Sequence, residues 1–306
     1  MSSVIKTTKL NHWYGNVVAL NDVTVDIGAG ITGILGPNGA GKTSLMRMAV
    51  GLMRPAFGEI RVLDVDPWNN PGFNRRIGYC PEHDGFYEWL TGSDFVRWLL
   101  RLRGFSAADA DRLGREAIDR VALRDAAGRR VGTYSRGMRQ RLKLAQAIGH
   151  QSELLVLDEP LTGTDPLVRQ ELIGLIKSFA AEGRHVIVSS HVLHEIEALT
   201  QNIVVIHKGR LVAFGDQREI RGLIDRHPHA VSIRTTKSRE LAAALAKEPS
   251  VREIEFRDDG LLVKTKEPDV FYGRFSALAL EAGCDVQELT SPDDNLEAVF
   301  RYLTES

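Results

Sequence analysis

The stretch Gly36-Pro37-Asn38-Gly39-Ala40-Gly41-Lys42-Thr43 follows the apolar run Gly33-Ile34-Leu35 and leads into Ser44-Leu45-Met46-Arg47-Met48. The run reads as a strand and the continuation as a helix, so these residues form a strand-to-helix loop with the spacing Gly-x-x-x-x-Gly-Lys-Thr. Gly36, Gly39 and Gly41 let backbone N–H groups approach an anion, and the helix adds its unpaired N-terminal donors and the positive end of its dipole. In a loop of this kind Lys42 reaches the β- and γ-phosphates and the Thr43 hydroxyl takes a place on Mg²⁺. The stretch predicts a nucleotide phosphate site within an α/β fold.

Upstream, residues 4–35 alternate apolar and polar positions, with Val23, Val25 and Ile27 on one face, and read as strands. Within them Trp13-Tyr14 precedes Gly15. An aromatic here is a core residue by default, and it could also stack on an adenine ring. Downstream come short strands at 58–62 and 77–80, the second ending at Pro81-Glu82. Residues 91–127 carry apolar positions at helical spacing and read as a mostly helical insert.

Leu154-Leu155-Val156-Leu157 is an unbroken apolar run closed by Asp158-Glu159, the pattern of a strand buried on both faces of a parallel sheet. Such a strand delivers two carboxylates to the carboxyl edge, where open α/β folds bind ligands. Asp158 can hold Mg²⁺ through water, and Glu159 can polarise an attacking water. A further buried strand over 186–190 ends at His191. The helix after Tyr134-Ser135-Arg136-Gly137-Met138 is strongly basic, with Arg136, Arg139, Arg141 and Lys143, and most of those charges are expected on a solvated face.

The 306 residues suit about two domains, and 43% hydrophobic with 26% charged residues is an ordinary globular composition. A net charge of −1 speaks against a broad nucleic-acid footprint. Cys80 and Cys284 have no partner at metal spacing, so free thiols in a reducing compartment are expected. The first ten residues lack a secretion-signal pattern, and no run of about 18 apolar residues occurs. Division is expected near Gly215, into domains of 1–216 and 217–306. The second reads as strand, helix, strand, strand, helix, strand and a last helix over 296–303, an order that suggests a small ferredoxin-like α+β sandwich.

Over about residues 4–216 the chain resembles the nucleotide-binding subunit of an ABC transporter. The resemblance rests on the phosphate loop, the segment 134–141, the Asp158-Glu159 strand, the loop Thr162-Gly163-Thr164-Asp165 and His191, in this order. It implies an ABC-type P-loop fold with an antiparallel β subdomain and a helical subdomain over about residues 83–132. It also implies an ATPase using ATP and Mg²⁺, with two copies head to tail. Ser135 and the N–H of Gly137 would grip the γ-phosphate held by residues 36–44 of the other copy. Glu159 and His191 would be catalytic, Asp165 would couple the two sites, Tyr14 would stack on adenine, and Thr43, Glu82 and Asp158 would serve the metal.

Two positions depart from the family pattern. Glu82 stands where the family usually has Gln, and Arg136 replaces a glycine of the signature. The segment 78–84 and the stretch 296–300 resemble exporters whose ATPase and permease are separate chains. A separate membrane permease is therefore expected to seat near Glu82 and the helical insert, with this chain cytoplasmic, peripheral on the membrane and free of direct nucleic-acid contact. The competing readings are a non-transport relative acting on nucleic acid or ribosomes, and an ATP-switched regulator.

Overall fold

The computed structural model describes residues 3–216, 220 and 229–291. The chain divides into two compact units, residues 1–217 and 218–306.

The first unit is built on a six-stranded sheet of β3 (Ile31–Leu35), β5 (Ile77–Cys80), β6 (Leu154–Leu157), β7 (His185–Ser190), β8 (Asn202–His207) and β9 (Arg210–Asp216). Their order is β5-β6-β7-β3-β8-β9, parallel throughout except for the edge strand β9. All four residues of β6 are fully buried, as the unbroken apolar run requires of a strand covered on both faces. Each such side chain contributes roughly 1.5–3 kcal/mol by leaving water.

A second, antiparallel sheet joins β1 (Ile5–Tyr14), β2 (Val17–Ile27) and β4 (Phe57–Val62) in the order β2-β1-β4. Its inward residues, among them Leu10, Leu20, Val23 and Ile27, share one core with Leu45, Met46 and Met48 of helix α1 (Lys42–Ala49). The helical insert consists of α2 (Gly92–Leu102) and α3 (Ala107–Arg120), capped by Thr91 and Ser106, whose hydroxyls accept from Asp94 N and Asp109 N. Both pack on α4 (Arg136–Ile148). Helices α5 (Pro166–Ala181) and α6 (Leu193–Leu199) flank β7.

The expectation that the basic residues of α4 lie mostly on a solvated face is corrected. Lys143 is buried; its ammonium donates to the Glu82 carbonyl at 2.7 Å and lies 3.4 Å from Asp84. The Arg139 side chain is 21% exposed and bridges Asp84 and Glu88, and that of Arg141 is 15% exposed between the Val121 carbonyl and Glu171. These cations hold neighbouring elements together.

In the second unit β10 (His229–Thr235), α7 (Ser238–Leu245), β11 (Val251–Arg257), β12 (Gly260–Thr265), α8 (Pro268–Glu281) and β13 (Val286–Thr290) follow one another. The sheet order is β11-β12-β10-β13 with every pair antiparallel, the expected β-α-β-β-α-β sandwich. Leu241, Leu245, Phe271 and Phe275 of the helices meet Val231, Ile233 and Val263 of the strands. The expected helix over 296–303 lies outside the described residues. Among the described residues no helix is long and apolar enough to cross a membrane.

Candidate functional site

Strand order decides what meets. Because β5, β6, β7 and β3 are adjacent and parallel, their carboxyl ends place Glu82, Asp158-Glu159, His191 and the loop 36–43 along one edge. The loop closes on Gly41, whose φ is +107° and where a Cβ would stand 2.4 Å from the Ala19 carbonyl oxygen. Only glycine satisfies both conditions. Gly41 caps α1, so Lys42 is the first residue of that helix.

The Lys42 ammonium donates to the Gly36 carbonyl at 2.6 Å and lies 3.1 Å from Glu159 Oε1. Glu159 Oε2 accepts from Thr162 Oγ1 at 2.8 Å and lies 2.9 Å from His191 Nδ1. Thus the structure brings Lys42, Glu159 and His191 into one cluster. Burial presses the Glu159 carboxyl upward, but Lys42, Thr162 and His191 outweigh it and hold its pKa below the ordinary value. Asp158, its neighbour, behaves oppositely. Burial raises its pKa, the charges of Glu82 and Glu159 add to that, and the hydroxyls of Ser189 and Thr43 counter it only in part.

The remaining candidates occupy their own places. Tyr14 sits half-exposed at the β1–β2 turn with its hydroxyl 3.4 Å from Ser44 Oγ and its ring edge-on to His12. Ser135 caps α4 by accepting from Met138 N at 3.3 Å, and Asp165 caps α5 by accepting from Val168 N at 3.0 Å. Ser135 is exposed and Gly137 half-buried. Among the described residues, no hydrogen bond or ion pair joins Ser135, Gly137 or Asp165 to the Lys42–Glu159–His191 cluster. The Glu82 carboxylate is exposed, with Nδ1 of the His83 ring 3.7 Å from its Oε2.

Several residues that shape this edge carry no sequence pattern of their own. Ser189 is fully buried; its Oγ accepts from Glu159 N at 2.8 Å and donates to Asp158 Oδ1 at 2.7 Å, joining the two carboxylate positions. Glu195, buried at the start of α6, accepts from Ser190 Oγ at 2.7 Å and lies 3.2 Å from Arg169 Nε. Arg169 also donates to the Thr164 carbonyl at 3.3 Å. One ion pair therefore joins the first turns of α5 and α6, and its two members also bond the Thr164 carbonyl and the Ser190 hydroxyl. A hint was visible in Ser189-Ser190, two hydroxyls closing an apolar strand just before the histidine.

Known proteins match this chain along its whole length. A family model described as ABC transporter matches residues 20–162. The bacitracin transport ATP-binding protein BcrA of Bacillus licheniformis is 33% identical over 99% of this chain and 98% of its own. The daunorubicin/doxorubicin resistance ATP-binding protein DrrA of Streptomyces peucetius is 32% identical over 98% and 92% respectively. Among solved structures, an ATP-binding subunit of an ABC transporter superposes with a TM-score of 0.65 at 27% identity, covering 72% of this chain and 92% of that one. A dimeric bacterial ABC transporter cassette, at 21% identity and a TM-score of 0.64, shares the fold over 69% of this chain and 98% of its own. Identity of this extent with whole transporter ATP-binding proteins, on a fold that seats a phosphate loop beside two carboxylates, means that the chain belongs to the ATP-binding subunits of ABC transporters and is an ATPase.

Proposed function

We propose that this chain powers export through a separate membrane permease, working as a head-to-tail pair that encloses ATP between residues 36–44 of one copy and Ser135 and Gly137 of the other. The observation that carries the reading is the Glu159 carboxylate, held between Lys42 at 3.1 Å and His191 at 2.9 Å. A base for water needs a carboxylate that stays ionised and is fixed beside the phosphates, and the lowered pKa together with the buried setting meets that need. Lys42, freed towards a phosphate, would release Glu159 to the water while His191 keeps it oriented. Asp165 would carry the state of one site to the other, and Tyr14 would lie against the adenine.

Mg²⁺ suits the residues present. Asp158 Oδ2 is buried without a hydrogen-bond partner among the described residues, and a hard cation takes such an oxygen readily. Thr43 and Asp158 would hold it, with Glu82 at the rim, and its charge would neutralise the phosphates.

The permease side is supported by an exposed aromatic cluster on and before α2. Trp89 lies 6.1 Å from Tyr87 and 5.6 Å from Trp98, all three rings exposed beside the loop that Arg139 and Lys143 hold. Exposed aromatics of this kind mark surfaces that another protein covers. Such a partner would keep the chain peripheral on the cytoplasmic side of the membrane. Export is supported by relatives named for drug resistance and for Nod factor export, the latter from Cupriavidus pinatubonensis, and these favour transport over a regulatory or ribosomal role.

Replacing Glu159 by Gln tests the reading. Turnover should fall at least about 100-fold, the scale of losing a general base, while ATP traps a dimer visible by gel filtration. Turnover kept at the wild-type rate would remove Glu159 from its role. Lys42→Ala should abolish nucleotide binding, measured by fluorescence titration.

A further inference from the structure

Helix α4 meets the segment that follows Glu159 at two points one turn apart. Gln140, buried, donates from Nε2 to the Pro160 carbonyl. Arg136, four residues earlier and on the same face, lies over Gly163. A Cβ built on Gly163 would fall 1.8 Å from Arg136 Cζ, 2.0 Å from Nη2 and 2.2 Å from Nε. These near-equal distances mean that the guanidinium is applied face-on to the glycine. Gly163 itself has a φ of +70°, which favours glycine a second time. Its neighbour Thr162 supplies the hydroxyl that donates to Glu159 Oε2 at 2.8 Å. No carboxylate among the described residues pairs with Arg136, so packing on Gly163 is what the side chain does here.

We propose that Arg136 is a positioning residue: it braces Gly163 against the start of α4 and so holds Thr162 on Glu159. The inference rests on the ATP-sandwich reading, in which Ser135 and Gly137 at the same helix start grip the nucleotide bound by the partner copy. The nucleotide gripped across the interface then sets the hydrolytic carboxylate of the gripping chain. With a glycine at position 136, the Gln140 bond to the Pro160 carbonyl would remain and the contact over Gly163 would be lost.

The test is a double-mutant cycle on the full chain. Arg136→Ala removes the brace, and Gly163→Ala evicts the guanidinium from the same place. Each single variant should lower kcat about tenfold while KM and ATP affinity stay within about twofold, and the double variant should be no slower than the slower single. Arg136→Lys keeps the charge without the flat face and should stay as slow as Arg136→Ala. Unchanged kcat in Arg136→Ala, a multiplicative loss of about a hundredfold in the double variant, or recovery by Lys would each overturn the proposal. The trapped dimer of Glu159→Gln separates the two claims. Its absence would remove the sandwich whatever the cycle shows, and its presence with a multiplicative cycle would remove the brace alone.

Discussion

Glu159 adopts a φ of +49°, a left-handed backbone that a non-glycine residue holds only when its surroundings impose it. Ser189 accepts the N–H of that turned residue at 2.8 Å. Its hydroxyl accepts from the Glu159 N–H and donates its own O–H to Asp158 Oδ1, so the turned backbone keeps its hydrogen bond inside the protein. Ser189→Ala should leave a buried N–H unpaired and let Glu159 relax. We expect a loss of about 1–3 kcal/mol by denaturant unfolding and a kcat at least about tenfold lower, with ATP affinity retained. An unaltered kcat would mean that Glu159 is held by Lys42, Thr162 and His191 alone. The acidic pair was legible in the sequence because it closes an apolar run. Ser189 was not, because it acts across the join between β6 and β7 and no local spacing reports a hydrogen bond between strands.

At the scale of elements, α4 shows why a charge count misleads. Its basic residues look like solubility in a linear reading, yet the helix lies between the insert and the sheet, where a cation must find a partner or be expelled. Arg139 and Lys143 face Asp84 and Glu88, on the segment beside the exposed aromatics, while Arg136 and Gln140 face residues 160–163. The helix thereby touches the proposed permease surface on one side and the hydrolytic loop on the other. Lys143→Met keeps the volume and removes the charge, leaving the Glu82 carbonyl without its donor and Asp84 with Arg139 alone of its two cations among the described residues. Asp84 is partly exposed, so the pair is screened, and the expected cost is about 1–2 kcal/mol, read as a shifted urea midpoint at constant m. If the helix transmits the permease signal, basal ATPase should survive in Lys143→Met while stimulation by the permease is lost. The helix itself was legible from its apolar positions, whereas the partners of its charges depend on tertiary packing.

For the molecule as a whole, the order of elements was written in the sequence more clearly than their joints. Alternation, apolar runs and glycine breaks foretold the parallel sheet and the sandwich of the second unit, since each reflects a local period of 2 or about 3.6 residues. The joint between helical insert and sheet has no such period. Arg103, at the end of α2, reaches across to the carbonyls of Asn74 and Ile77 at 3.1 Å each and lies 2.6 Å from Nε2 of the buried His150. Burial and the adjacent guanidinium press the His150 pKa from 6.5 to about 4, so the ring is neutral in the folded protein at neutral pH. The sign follows from linkage: the unfolded chain takes up the proton first, so stability is complete above about pH 6.5 and falls as pH drops towards 4. The span from 6.5 to about 4 corresponds to about 3 kcal/mol. The Asp158 carboxyl, held above its ordinary value by burial, and that of Glu159, held below it by Lys42, Thr162 and His191, add pH dependences of opposite sense, so the measurement is a difference. Urea unfolding of wild type and His150→Gln at half-unit steps should give stability curves whose gap shifts by about 3 kcal/mol between pH 7 and 4, the variant losing less. Parallel curves would show that the histidine protonates freely in the folded state, and would take from Arg103 its part in fastening the insert to the sheet.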